Sequence, residues 1–266
     1  MLLQFKLRQH TSKVRQHMCS VSYKMARNEG NVNVRLVQAA IRGSLRDVEA
    51  ALKAGADIDF DLRYSDKAST GTALFIACQR GHVDIVKLLL REGASVAKRS
   101  ALSHAPLHIA AFNGETEVVE LLVQHGATLD IRDNRQHTPL VHACIFNHVD
   151  TVRLLLKLGA NPDLREAGSL DECEEESLKI VEEAMKTKLL RCCNPKCGKP
   201  GYRKTGTLKL CGRCKLTRYC SRDCQKQHWS VGHKKCCGHD AYTGERPDSF
   251  ENIMASVFSP IQVNDG

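Results

Sequence analysis

His104–Ala127, HAPLHIAAFNGETEVVELLVQHGA, decides the fold, because the same text returns at a fixed spacing. Gly71–Ala94 (GTALFIACQRGHVDIVKLLLREGA) and His137–Ala160 (HTPLVHACIFNHVDTVRLLLKLGA) align with it at a period of 33. Leu74, Leu107 and Leu140 share one offset, Ala77, Ala110 and Ala143 a second, and Gly93, Gly126 and Gly159 close the units. A fourth copy, LVQAAIRGSLRDVEAALKAGADI from Leu36, lies 38 residues upstream of its counterpart, with five extra residues in DLRYSDKAST. Pro106 and Pro139 suit the first turn of a helix, where a missing N–H costs nothing. That helix ends near Gly81 or Gly114. A second helix carries its apolar face at residues such as Val86, Leu89 and Leu90, and a left-handed glycine stops it. Neither helix is long enough to stand alone, so the units must stack.

These residues resemble ankyrin repeats, over about residues 33–165. H-A-P-L-H-I-A and H-T-P-L-V-H-A match the family signature. The departures are Ala105 for threonine, Ala73 for proline, and Phe75 and Val141 for histidine. The resemblance implies protein binding through the hairpin tips and concave face, at Asp57–Lys67, Val96–Ser103 and Asp130–Gln136. His82-Val-Asp84 and His148-Val-Asp150 imitate part of an iron triad but read as the ordinary turn between the helices. Cys78 and Cys144 stand where Ala40 and Ala111 stand elsewhere, and are expected as small core residues. His108 is expected to be buried, bonding neighbouring loops.

Composition agrees with a mostly α chain. Of 266 residues, 42% are hydrophobic and 5% aromatic, which favours small-residue helical packing over a β-sandwich. No apolar run reaches membrane-spanning length, and no secretory signal or membrane partner is expected. Thirteen cysteines without an export signal point to reduced thiols and metal. Charge is segmented. The first 27 residues are basic and acid-free, residues 28–190 are net −5, residues 191–240 net +11, and the tail net −3. Five segments follow: a basic arm at 1–32, repeats at 33–168, a capping or linker helix at 169–190, a cysteine-rich module at 191–238 and a flexible acidic tail at 239–266. The arm is read as disordered, with a mitochondrial presequence as the alternative. In the bridge, Ser169 with Glu172 reads as a capping box, and Leu178, Val181, Met185 and Leu189 as one apolar stripe. Cys173 is taken as an exposed bystander. Cytoplasmic and/or nuclear residence is the expectation.

The module's candidate ligands are Cys193, Cys197, Cys211, Cys214, Cys220, Cys224, His233 and Cys237, enough for two tetrahedral zinc ions. Large apolar side chains are few there, so metal must supply folding energy. No position looks vacant for water, which argues for structural zinc. C-G-R-C-x5-C-S-R-D-C-Q-K-Q-H-W-S-V-G-H-K-K-C-C resembles the MYND-type zinc finger. The resemblance implies cross-braced sites, one of Cys193, Cys197, Cys220 and Cys224, the other of Cys211, Cys214, His233 and Cys237. Cys192 competes with Cys193, and Cys236 with Cys237. The gap before His233 is one residue longer than the family form, with Gly232 absorbing it. His228 and His239 are expected to face solvent. Ser221 caps a helix that carries Gln225 and Trp229 on one face. The family implies that these two line a groove for proline-containing peptides, beside a strand edge near Arg218–Tyr219. Trp229 also suits the plainer role of packing a small core.

The basic surface supports a rival reading, electrostatic nucleic-acid binding. Some MYND proteins wrap a methyltransferase domain around the finger. With 29 residues after Cys237 and ankyrin text before it, none is expected here, and no phosphate loop or nucleophile motif appears. The sequence reading is therefore an adaptor, resembling ankyrin-repeat and MYND-domain proteins.

Overall fold

The computed structural model describes residues 30–65, 68–69, 71–100, 103–163, 173–187, 189–202, 208–214, 216–234 and 237. Residues 1–29 of the N-terminal arm, the tail, the Ser169–Glu172 box, Cys236 and His239 lie outside them, and Val32, read as part of the arm, opens the first helix. Four antiparallel helix pairs follow one another: α1 (Val32–Arg42) with α2 (Leu45–Lys53), α3 (Ala73–Arg80) with α4 (Val83–Arg91), α5 (Pro106–Asn113) with α6 (Thr116–Gln124), and α7 (Pro139–Ile145) with α8 (Val149–Leu158). The five extra residues between the first two repeats fall in a small antiparallel hairpin, β1 (Arg63–Ser65) with β2 (Ala68–Ser69).

Local chemistry sets the helix boundaries. Ser44, Thr72 and Thr138 cap α2, α3 and α7 with their hydroxyls, and Pro106 and Pro139 open α5 and α7. Gly81 and Gly114 end α3 and α5 in the left-handed conformation. One continuous core runs through the stack, with Leu36, Leu74, Leu89, Leu107, Leu122, Leu140 and Leu155 fully buried. Cys78 and Cys144 are buried within it. His82 packs over Gly43, and His148 donates from Nε2 to Phe112 O (2.9 Å), so these turn histidines join repeats. His108 does the same: Nδ1 accepts from Ala105 N (3.1 Å), and Nε2 reaches His137 O (3.1 Å).

Helix α9 (Glu175–Thr187) covers the last repeat, packing on α7 and α8. Its buried face is Ser177, Val181 and the partly buried Ile180 and Met185. The expected stripe is thus corrected: Ile180 joins that core, and Leu178 does not. The Leu189 side chain lies outside the described residues. Ser177 Oγ donates to Asn147 Oδ1 (2.8 Å), holding the helix to the turn before α8. Cys173 is no bystander, since it is half-buried against the core and its thiol meets that of Cys144. Beyond α9 come β3 (Leu189–Arg191), paired with β4 (Pro200–Tyr202), then β5 (Lys209–Leu210), paired with β6 (Arg218–Tyr219), and α10 (Arg222–His228). Among the described residues, no helix is long and apolar enough to cross a membrane.

Candidate metal centre

Two groups of four ligands form where the short hairpins and α10 meet. The first is Cys192, Cys197, Cys220 and Cys224, and the second is Cys211, Cys214, His233 and Cys237. Within each, the donor atoms lie within 4.8 Å of one another. The pairing is cross-braced, since the first and third cysteine pairs share one centre and the second pair shares the other with His233 and Cys237.

The first group corrects the cysteine doublet. Cys193 stands outside it and Cys192 takes its place. Alternation along an extended strand explains this, because neighbouring residues face opposite sides. Cys192 N donates to Lys199 O (2.9 Å), which continues the β3–β4 ladder and fixes which face each residue takes. Cys193 instead joins the repeat core. It receives a hydrogen bond from Arg218 N at Sγ (3.3 Å) and donates from its own N to Arg218 O (2.7 Å). Burial pushes the Cys193 thiol up to about 11, against the pull of the Arg218 guanidinium, so it stays a neutral packing group. The chain from Asn194 turns back under Cys192, with Lys196 N donating to Asn194 Oδ1 (3.1 Å) and Cys197 N to Asn194 O (2.9 Å).

The donor sets fit zinc. Tetrahedral Zn–S bonds of about 2.3 Å place two sulfurs about 3.8 Å apart, and a sulfur and an imidazole nitrogen about 3.5 Å apart. The observed separations are 3.6 Å for Cys197–Cys220, 3.5 Å for Cys220–Cys224 and 3.7 Å for Cys211–Cys237. Cys214 Sγ and His233 Nε2 are 3.6 Å apart. Three cysteines of the second group and His233 are buried. Burial works against the Cys224 thiolate, yet the Ser221 hydroxyl and neighbouring thiols bring it down to about 7. Bound zinc would supply folding energy to a segment with little core of its own.

Helix α10 begins at Ser221, whose Oγ accepts from Cys224 N (3.1 Å). A wide π-type turn, Trp229–His233, follows and accommodates the extra residue before His233. His228 does not face solvent. It is buried, with Nδ1 accepting from the Tyr219 hydroxyl (2.9 Å), and burial pushes it down to about 4. Gln225 and Trp229 are both half-buried; Gln225 Nε2 reaches Cys211 Sγ (3.8 Å), and Trp229 packs on the small core. The edge of β6 at Arg218 is occupied by Cys193, so among the described residues the edge of this hairpin without a partner is that of β5.

The finger is bonded to the repeats. Arg218 forms a buried ion pair with Asp130 (3.1 Å) and donates to Gly159 O (2.8 Å). Asp130 also accepts from Asn161 N (2.7 Å). A Cβ on Gly126 would lie 2.6 Å from the Gly232 Cα, so backbone meets backbone there. The expected tip Asp130–Gln136 is therefore partly consumed within the molecule. Nothing in the spacing announces Arg218, which stands 88 residues from its carboxylate partner.

A family model described as ankyrin repeats (3 copies) matches residues 36–133 and 102–166, and a model of the MYND finger matches residues 192–237. The chain carries ankyrin repeats and a MYND finger. The finger model begins at Cys192, the first ligand in the observed group. The MYND finger is a zinc-binding domain, and both modules are protein-interaction modules. The chain is also similar to ubiquitin carboxyl-terminal hydrolase 19 of Arabidopsis thaliana, at 51% identity over 64 residues. That match takes in 23% of this chain and only 9% of the hydrolase's length.

Proposed function

We propose that this ankyrin–MYND protein is a non-enzymatic adaptor, cytoplasmic or nuclear, that holds one protein on its repeats and a proline-containing peptide on its finger. The observation that carries the peptide reading is Leu210, 54% exposed on a strand whose outer edge has no partner among the described residues. A proline-rich segment has little chain entropy left to lose and docks on open edges and aromatic walls. The docking edge is accordingly placed at Lys209–Leu210, with Trp229 and Gln225 as the wall. On the repeats, the partner is assigned to the first two tips, because the third is engaged by Arg218.

Trp229 is the only tryptophan, so its emission reports on the finger without labels. Zinc-loaded protein titrated with proline-rich peptides is expected to give a saturable change. Scrambled proline-free peptides and the Leu210→Asp variant are expected to give none. A flat wild-type response with both finger ions in place would remove the peptide reading and leave the finger as scaffold.

Lys196, Lys199, Lys209, Arg213, Arg222 and Lys226 are exposed on the finger and favour a second reading, sequence-blind nucleic-acid binding. Its mark is an affinity that falls linearly in log–log form with salt. Absence of binding at low salt retires it.

A further inference from the structure

A third group of ligating side chains lies outside the two finger groups, on the repeats. Asp133 is wholly buried, and its Oδ1 accepts from the backbone N–H groups of Arg135 and His137 (both 2.8 Å), which is enough to hold the turn. Its Oδ2 faces two imidazoles, His142 Nε2 at 3.0 Å and His104 Nε2 at 3.3 Å. All three donor atoms lie within 4.8 Å of one another. We propose that His104, Asp133 and His142 form a third metal site, for zinc, on the ankyrin stack.

The geometry agrees with zinc chemistry. With Zn–N and Zn–O bonds of about 2.0–2.1 Å, tetrahedral neighbours stand about 3.3 Å apart. Of the two observed nitrogen–oxygen separations, the 3.3 Å to His104 equals that value and the 3.0 Å to His142 falls just short of it. Two imidazoles and a carboxylate select a borderline cation over calcium or magnesium, which want oxygen alone. The surroundings supply orientation. The two backbone amides pin Asp133, and the His108 ring lies 5.6 Å from His142 with its own nitrogens engaged elsewhere. His104, with 20% of its side chain exposed, leaves the trio reachable from solvent, and a water molecule would complete the tetrahedron.

The repeats provide an internal control. At the period of 33, His142 corresponds to Ile109 and Ile76, Asp133 to Ser100, and His104 to Gly71 in the preceding repeat. Where packing alone decides, the fold uses isoleucine at the His142 position, so stacking does not require this trio.

The test is a zinc titration of the full-length chain already carrying its two finger ions, read by equilibrium dialysis and elemental analysis. Wild type is expected to take one further equivalent. His104→Ala, which alters a partly exposed ring, is expected to weaken that equivalent at least about tenfold, the loss that even indirect damage to a site produces. His142→Ile is expected to abolish it while the two finger ions remain. Cobalt in the third site is expected to lack the sulfur-to-metal charge-transfer band that cobalt in the finger shows. Wild-type binding that stops at two ions overturns the site, as does a third ion retained in His142→Ile or one carrying a thiolate band.

Discussion

Cys192 and Cys193 are chemically identical neighbours with opposite fates, one turned to a metal centre and the other to the repeat core. Strand alternation makes that choice, and it yields a sharp expectation. Cys192→Ser should lose one finger-bound ion by native mass spectrometry, whereas Cys193→Ser should keep both. The second variant loses a buried sulfur contact and is expected to cost about 1 kcal/mol in urea unfolding. The doublet could not be resolved from spacing, because either cysteine leaves a plausible gap to Cys197. What decides is the register Arg191↔Pro200 and the Cys192–Lys199 bond that extends it. His228 taught the same lesson. A polar residue ending a short, charged helix reads as exposed until the Tyr219 hydroxyl is placed against it.

At the scale of elements, helix α9 closes the hydrophobic end of a stack that would otherwise present α7 and α8 to water. Val181 is fully buried in that contact. Val181→Asp would bury an unpaired carboxylate, so a loss of about 3 kcal/mol or more is expected in urea unfolding. Amide exchange should quicken first in α7 and α8, whereas α1 and α2 at the far end should change least, since each repeat touches only its neighbours. The repeat helices were legible in advance because their signals are local: proline at the start, glycine at the stop, leucines between. Pro106, Gly114 and Gly126 lie where that reading puts them. The face of α9 was less legible. A stripe drawn through Leu178 ignores that the partner surface, through Asn147 and Ser177, sets the helix's rotation.

Across the whole molecule, finger and repeats share a buried ion pair, so metal content is expected to bear on repeat stability. Chelating zinc should unfold the finger and withdraw Arg218, leaving Asp130 buried without its cation. Hydrogen exchange at the Asn161 amide, which donates to Asp130, is expected to speed up, while amides of α1 stay protected. Arg218→Ala should reproduce part of this with zinc still bound, at a cost of about 3 kcal/mol, because removal of one partner strands the other charge. Unchanged exchange at Asn161 after chelation would show that the two modules are energetically separate. This junction was invisible in sequence, since Asp130, Gly159 and Arg218 carry no shared pattern and meet only through the tertiary fold.

The Gly126–Gly232 contact has a further meaning for the proposed two-partner adaptor. Backbone against backbone leaves no side chain to give way, so the span from repeat tips to finger is set like the jaws of a calliper. A flexible tether would offer its second site at an effective concentration that many epitope spacings could exploit. A fixed span gives its gain in avidity only to partners, or pairs of partners, whose epitopes match it. Gly126→Ala would force the jaws apart at their hinge, and selectivity between such partners should suffer before either single-site affinity does.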